Sequence, residues 1–205
     1  MKRPHGYESL TTLNISYKNL TELPSWVSEC KKLKNLNCSL NELIQLNNLP
    51  PTLEILNCEY NKLTQIDNLP PTLEILNCCN NKITQLNNLT ETLKELYCRN
   101  NNITQLDNLQ PTLKKLNCYS NKITQLDNLP LTLENLDCLY NKITQLDNLP
   151  PTLKILNCEY NKLTQLDNLP KTVNSLWCTQ NPLKYDFKST LKNIRNYNNQ
   201  NKLPK

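Results

Sequence analysis

Glycine is almost absent from this chain: one residue, Gly6, among 205, against 13 prolines. So small a supply, beside a large excess of Asn and Leu, is unusual for a globular enzyme and directs attention to repeats. Histidine is as scarce. The sole His5 lies in the polar N-terminal segment, and no spacing of the variable residues assembles an acid–base or nucleophile pair, so no enzyme is expected. Long apolar runs are missing too. No stretch approaches the length of a membrane span, and MKRPHGYESL lacks the apolar segment that directs export, so a cytoplasmic location is expected. The five Asn-x-Ser/Thr sequons, at Asn14, Asn19, Asn37, Asn88 and Asn102, are then chance matches in an Asn-rich chain. A basic stripe is the last absence. Of the net charge of +5, residues 182–205 carry +5 and residues 1–9 carry +1, leaving −1 on residues 10–181. Such a body offers no phosphate-binding surface, and no nucleic-acid partner is expected.

What the chain does have is a period. Residues 51–70, PTLEILNCEYNKLTQIDNLP, recur nearly verbatim at 151–170, with related copies between. Counted from the first Leu, copies begin at Leu10, Leu33, Leu53, Leu73, Leu93, Leu113, Leu133, Leu153 and Val173; every spacing is 20 residues except the first, which is 23. Within one copy the apolar positions are Leu53, Leu56, Cys58, Leu63, Ile66 and Leu69, and Asn61 falls between the third and fourth.

This L-x-x-L-x-C-x-x-N-x-L pattern resembles the leucine-rich-repeat family across residues 10–183. The 20-residue length with Leu-Pro at the junction is similar to the short repeats of bacterial effector proteins. The Asn-rich, Cys-bearing version resembles repeat proteins of giant DNA viruses of the mimivirus kind. The fold implied is an α/β repeat solenoid with a parallel β-sheet on its concave face.

Physical reasoning reaches the same fold independently. Alternation at Leu56, Asn57, Cys58 and Glu59 is the period of a short strand with Leu56 and Cys58 inward. One such strand cannot bury its inner face, whereas stacked copies bury a continuous column. A 20-residue coil leaves too little chain for a full helix on the return, and Leu-Pro-Pro-Thr at 49–52, 69–72 and 149–152 favours an extended or polyproline convex side. Short helical caps are expected at both ends. Ser25 is the expected N-cap of the first, with Lys31 and Lys32 at its C-terminus; Asp186 is the expected cap of the second, which carries Phe187, Leu191 and Ile194. The organisation expected is a capping segment over 1–32, repeats over 33–183 and a basic capping helix and tail over 184–205, of which 198–205 should fray.

Ten cysteines raise the question of disulfides or zinc. Eight of them, from Cys38 to Cys178, share one inward strand position, where Cys acts as a small buried hydrophobe in a reducing compartment; no metal and no cofactor are expected. Cys30 should pack under the N-terminal cap, and the alternation puts Cys79 on the outer face as an exposed thiol. The Asn column from Asn41 to Asn181 should bond backbone groups of its own turn and of the neighbouring coil; Lys18 replaces it in the first copy. Lys62, Lys82, Lys122, Lys142 and Lys162 should form a solvated edge interleaved with Asp67, Asp107, Asp127, Asp147 and Asp167.

Identical positions specify the fold, and variable ones are free to specify a partner. Variation concentrates on the concave strand face, at Glu59, Tyr60, Glu95, Tyr97, Arg99, Lys115, Tyr119, Asp137, Tyr140, Glu159, Tyr160 and Trp177. Tyr, Trp and Arg dominate binding hot spots, and here they stand on a stiff sheet. The expected function is a non-catalytic protein–protein interaction module with a protein ligand. Two alternatives stand beside it. Effectors with similar repeats imply a substrate-recognition subunit working with a separately encoded ubiquitin ligase, since the residues after 183 are too few for such a domain. The viral resemblance implies a structural virion component, and a location in host-cell cytoplasm or virion.

Overall fold

A computed structural model describes residues 2–167 and 169–201, the side chain of Asn201 excepted. Nine three-residue strands, β1 (Thr12–Asn14), β2 (Asn35–Asn37), β3 (Ile55–Asn57), β4 (Ile75–Asn77), β5 (Glu95–Tyr97), β6 (Lys115–Asn117), β7 (Asn135–Asp137), β8 (Ile155–Asn157) and β9 (Ser175–Trp177), form one parallel sheet in chain order. Their register is that of the repeat: Leu56 sits beside Leu76, and Leu76 beside Leu96. The core is correspondingly columnar. Leu53, Leu56, Cys58 and Leu63 of one coil are wholly buried, and Ile66 is 2% exposed.

Short strands suffice because the rest of each coil is also tied to its neighbour. The Glu74 amide donates to the Glu54 carbonyl and the Lys82 amide to the Leu63 carbonyl, each at 2.8 Å. No helix is present between residues 38 and 183 among the described residues, and a run of side-chain hydrogen bonds does the stitching on the convex side. Thr72 Oγ1 donates to the carbonyls of Pro51 (2.9 Å) and Leu53 (2.7 Å), a pattern repeated at Thr92, Thr112, Thr132 and Thr152.

The Asn column forms the bridges expected of it. Asn101 Nδ2 donates to the carbonyls of Cys78 and Cys98, both at 3.0 Å, and its Oδ1 accepts from the Ile83 amide at 3.0 Å. Each interior Cys carbonyl therefore receives two amides, that of Cys78 from Asn81 and from Asn101. In the first coil, where Lys18 stands in place of the Asn, its amide and that of Leu20 both reach Asn41 Oδ1 at 3.0 Å.

Asn also explains how the chain turns without glycine. Left-handed backbone recurs at Asn68, Asn88, Asn108, Asn128 and Asn148, with φ between 54° and 57°, and again just after each strand, at Tyr60, Asn80, Asn100, Ser120, Tyr140 and Tyr160, with φ between 50° and 53°. Asn tolerates this region better than any residue but Gly; Tyr does not, and pays a local strain of about 1 kcal/mol at each such position.

Both caps form, with different residues at their starts. Ser25–Glu29 is a 3-10 helix entered from Pro24, and Ser25 makes no side-chain cap bond; its carbonyl instead accepts from Ser28 Oγ at 2.8 Å. Proline already fixes the entering φ at −56°, so the turn starts without a side-chain cap. Lys31 Nζ does reach the last turn, at the Ser28 carbonyl (3.4 Å). At the other end α1 spans Leu191–Asn201, and Thr190 rather than Asp186 caps it, its Oγ1 accepting from the Asn193 amide at 3.3 Å. Phe187 is held outside the helix by stacking on Tyr185 at 4.8 Å, while Ile194 is fully buried against the last coil. Residues 198–201 are helical rather than frayed, because Asn198 is buried and donates to the Leu166 carbonyl at 2.9 Å; residues 202–205 lie outside the described residues. Arg195 completes the seal by donating to the carbonyls of Pro170 (3.2 Å), Lys171 (3.0 Å) and Val173.

Candidate partner-binding face

Three rows of side chains cross the concave face, set by the pleat. At the end of each strand stands an Asn or Asp whose side chain folds back onto its own backbone: Asn37, Asn57, Asn77, Asn117, Asp137 and Asn157 each accept from the amide two residues on, at 3.0–3.4 Å. Tyr97 and Trp177 occupy the same row and give up that bond. Forgoing a turn bond costs about 1 kcal/mol, which Tyr97 offsets in part through its own bond to Glu95 (2.6 Å). These two substitutions are therefore the strongest departures from the repeat on this face.

All twelve residues expected at a binding site lie on this face or on the turn that leaves it, and the structure joins several into networks. Glu59 and Arg99 come from coils two repeats apart and meet at 2.9 Å across the intervening one. Asn77 and Asn80 also donate to the Glu59 carboxylate, at 3.1 and 3.0 Å, and Asn100 supports Asn80 at 2.8 Å. Burial works to raise the Glu59 pKa, but the bonds from Arg99, Asn77 and Asn80 outweigh it and hold it below the usual value. Beside it Glu95 accepts from Tyr97 Oη (2.6 Å) and Lys115 Nζ (2.8 Å), which offset its burial in the same way. Asn77, Asn80 and Asn100 escape a sequence reading because Asn at those positions is already accounted for by turn geometry.

Aromatic residues gather toward the C-terminal half. Tyr140 and Tyr160 stack with ring centroids 4.2 Å apart, and Tyr119 lies 6.0 Å from Tyr140. Tyr60, Tyr140, Tyr160 and Trp177 are each more than 40% exposed. A shallow groove of about 270 Å³ runs between the halves, lined by Tyr97, Lys115, Asn117, Asn135, Asp137 and Ile155.

Cys79 departs from expectation. It faces outward as the alternation requires, yet it is only 3% exposed, because the Glu59–Arg99 pair closes over the shorter side chain between them. Burial pushes its thiol up to about 11 despite Arg99 nearby. Removing the cover tests this: in Arg99→Ala one thiol should react with a disulfide reagent in the native state, against none in the unaltered chain over the same interval. All ten cysteines are free and buried; Cys30 lies under the N-terminal cap, its Sγ on the Trp26 carbonyl at 3.6 Å. Five ladder thiols, those of Cys38, Cys58, Cys78, Cys138 and Cys158, point to a carbonyl of the next strand at 3.3–3.5 Å. The lysine edge also differs in detail: Lys62 pairs with Glu42 at 3.1 Å, and among the described residues no ion pair joins the lysine column to the aspartate column. Among those residues, too, no group of three or more His, Cys, Asp or Glu is arranged to hold a metal ion, and no helix is long and apolar enough to cross a membrane.

Residues 91–131 match the family described as Leucine Rich repeats (2 copies). No curated protein matches the sequence. Among solved structures, the functional domain of InlJ from Listeria monocytogenes, which includes a cysteine ladder, is 32% identical with a TM-score of 0.66, over 86% of this chain and 45% of that one. YopM from Yersinia pestis, a leucine-rich effector protein, is 30% identical with a TM-score of 0.70, over 85% of this chain and 56% of that one. YopM from Yersinia enterocolitica is 28% identical with a TM-score of 0.64, over 89% and 49%. The chain spans about half the length of these relatives.

Proposed function

Because the chain belongs to the leucine-rich-repeat family, we propose that it is a non-catalytic module that binds a protein partner through its concave sheet face. The observation that carries this reading is where the repeat is broken. Tyr97 and Trp177 forgo a turn bond that the other strand ends keep, and Tyr60, Tyr140 and Tyr160 sit in left-handed backbone. Sacrifices of local stability gathered on one exposed face are what recognition produces, since large rigid aromatics supply contact area at little entropic cost. The ten free thiols support residence in a reducing compartment, the cytoplasm of a host cell included.

The test is capture from lysates of candidate host cells by the immobilised protein, beside Tyr97→Ala/Arg99→Glu/Tyr119→Ala confirmed to be folded by circular dichroism. A partner retained by the unaltered chain and reduced at least tenfold on the variant is expected. Equal retention by both would move the binding surface off the part of the concave face around Tyr97, Arg99 and Tyr119.

A further inference from the structure

The concave face is electrically divided. In the part built by β3 to β6 each carboxylate has its own cation, Glu59 with Arg99 and Glu95 with Lys115. In the part built by β7 to β9 neither carboxylate has one. Asp137 accepts from Asn117 Nδ2 (3.2 Å) and the Leu139 amide (3.3 Å), and the Glu159 carboxylate accepts from the Thr179 hydroxyl. Among the described residues no lysine or arginine lies within ion-pair distance of either. A half-buried carboxylate without a cation is held at a cost to the fold, and burial pushes the Asp137 carboxyl above its usual range. On the same part of the face stand the exposed rings of Tyr140 and Tyr160, and Trp177 two strands from Asp137 in the same row.

We propose that this half of the concave face docks an extended, arginine-bearing segment of a partner protein, whose guanidinium groups pair with Asp137 and Glu159 and lie against Tyr140, Tyr160 and Trp177. The inference rests on the reading of the concave face as a protein-binding surface and adds the chemistry of what it binds. Charge complementarity carries it: two unneutralised carboxylates on the same part of the face as exposed aromatic rings call for a cation that is also flat. Guanidinium meets both demands, pairing two-pronged with carboxylate and stacking on aromatic faces, whereas ammonium meets the first only as a point charge. The spacing suits an extended chain. Asp137 and Glu159 are one strand apart and two residues along, about 8 Å, close to the roughly 7 Å between side chains i and i+2 on one face of a strand.

The experiment is fluorescence anisotropy at 150 mM NaCl with a fluorescein-labelled peptide alternating Arg and Ser, beside its Lys and Glu counterparts. The Arg peptide should bind saturably, the Lys peptide at least threefold more weakly and the Glu peptide not at all. Asp137→Asn/Glu159→Gln should weaken Arg-peptide binding at least tenfold and Trp177→Ala at least fivefold, with less than twofold change for Glu42→Gln on the far edge. No saturable binding up to 1 mM, or equal binding by the double variant, overturns the proposal. Lysate capture keeps this failure distinct from that of the parent reading: a partner lost with the Tyr97/Arg99/Tyr119 variant but kept by Asp137→Asn/Glu159→Gln preserves concave recognition and removes the basic segment. Sedimentation covers the remaining occupant. A monomer is expected, and a dimer dissociated by Asp137→Asn/Glu159→Gln would assign the face to the basic C-terminal region of a second copy instead.

Discussion

Raising the pH from 8 to 10 under reducing conditions is expected to remove most of the folding stability of this protein. The cause is the thiol ladder. Burial pushes the thiol pKa of each ladder cysteine above its ordinary value of 9.0, to about 12 for Cys38 and about 11 for Cys178. A folded pKa above the unfolded one contributes stability that is complete below 9.0 and falls as the pH rises past it, because the unfolded chain releases protons that the folded one keeps. One unit above 9.0 each thiol accounts for about 1.4 kcal/mol, so eight together reach about 11 kcal/mol, within the ~5–15 kcal/mol that holds a typical domain. Urea unfolding followed by far-ultraviolet circular dichroism at pH 8, 9 and 10 measures it. Cys98→Ala/Cys118→Ala should start less stable but lose about 2.7 kcal/mol less per pH unit above 9. A free energy that stays within 2 kcal/mol between pH 8 and 10 would remove the thiols from the account.

Asn101→Ala should cost about 2–4 kcal/mol, several times the effect of an ordinary surface substitution. The Ile83 amide loses its acceptor outright, inside the core, and the carbonyls of Cys78 and Cys98 each lose one of two donors. Asn181→Ala serves as the comparison. It makes the same bonds in the last coil, where Asn181 is only partly buried and water can replace the amide, so half the cost or less is expected. Equal losses at the two positions would mean that the column acts through turn propensity and not through buried bridges.

How much of this was legible in the sequence follows from distance along the chain. The 20-residue period placed every strand, the Leu and Cys columns and the Asn bridges, because each needs only the residue type and its place in the repeat. Contacts that depend on which copy stands beside which were not legible. Cys79 is covered by two side chains forty residues apart, a relation that alternation within one strand cannot express. The role of the Thr72 series was not legible either, since an extended Leu-Pro-Pro-Thr segment does not disclose that the Thr hydroxyl reaches two carbonyls of the preceding coil. At the caps, local propensity favoured Ser25 and Asp186, while Pro24 and the packing of Phe187 moved both starts. On the concave face the individual residues were legible as departures from the repeat, but the partition into a neutralised half and an unneutralised half required knowing which charges meet.

Every coil is joined to the next by the same bonds in the same register, so a whole unit of 20 residues can be inserted or removed between β5 and β7 without meeting a foreign neighbour. Each such event slides the paired charges around Arg99 and the free carboxylates around Glu159 apart or together by one strand spacing, about 4.8 Å. The distance between these two features of the surface is thus adjustable in fixed increments by recombination alone, and the number of repeats between them sets the geometry of the face.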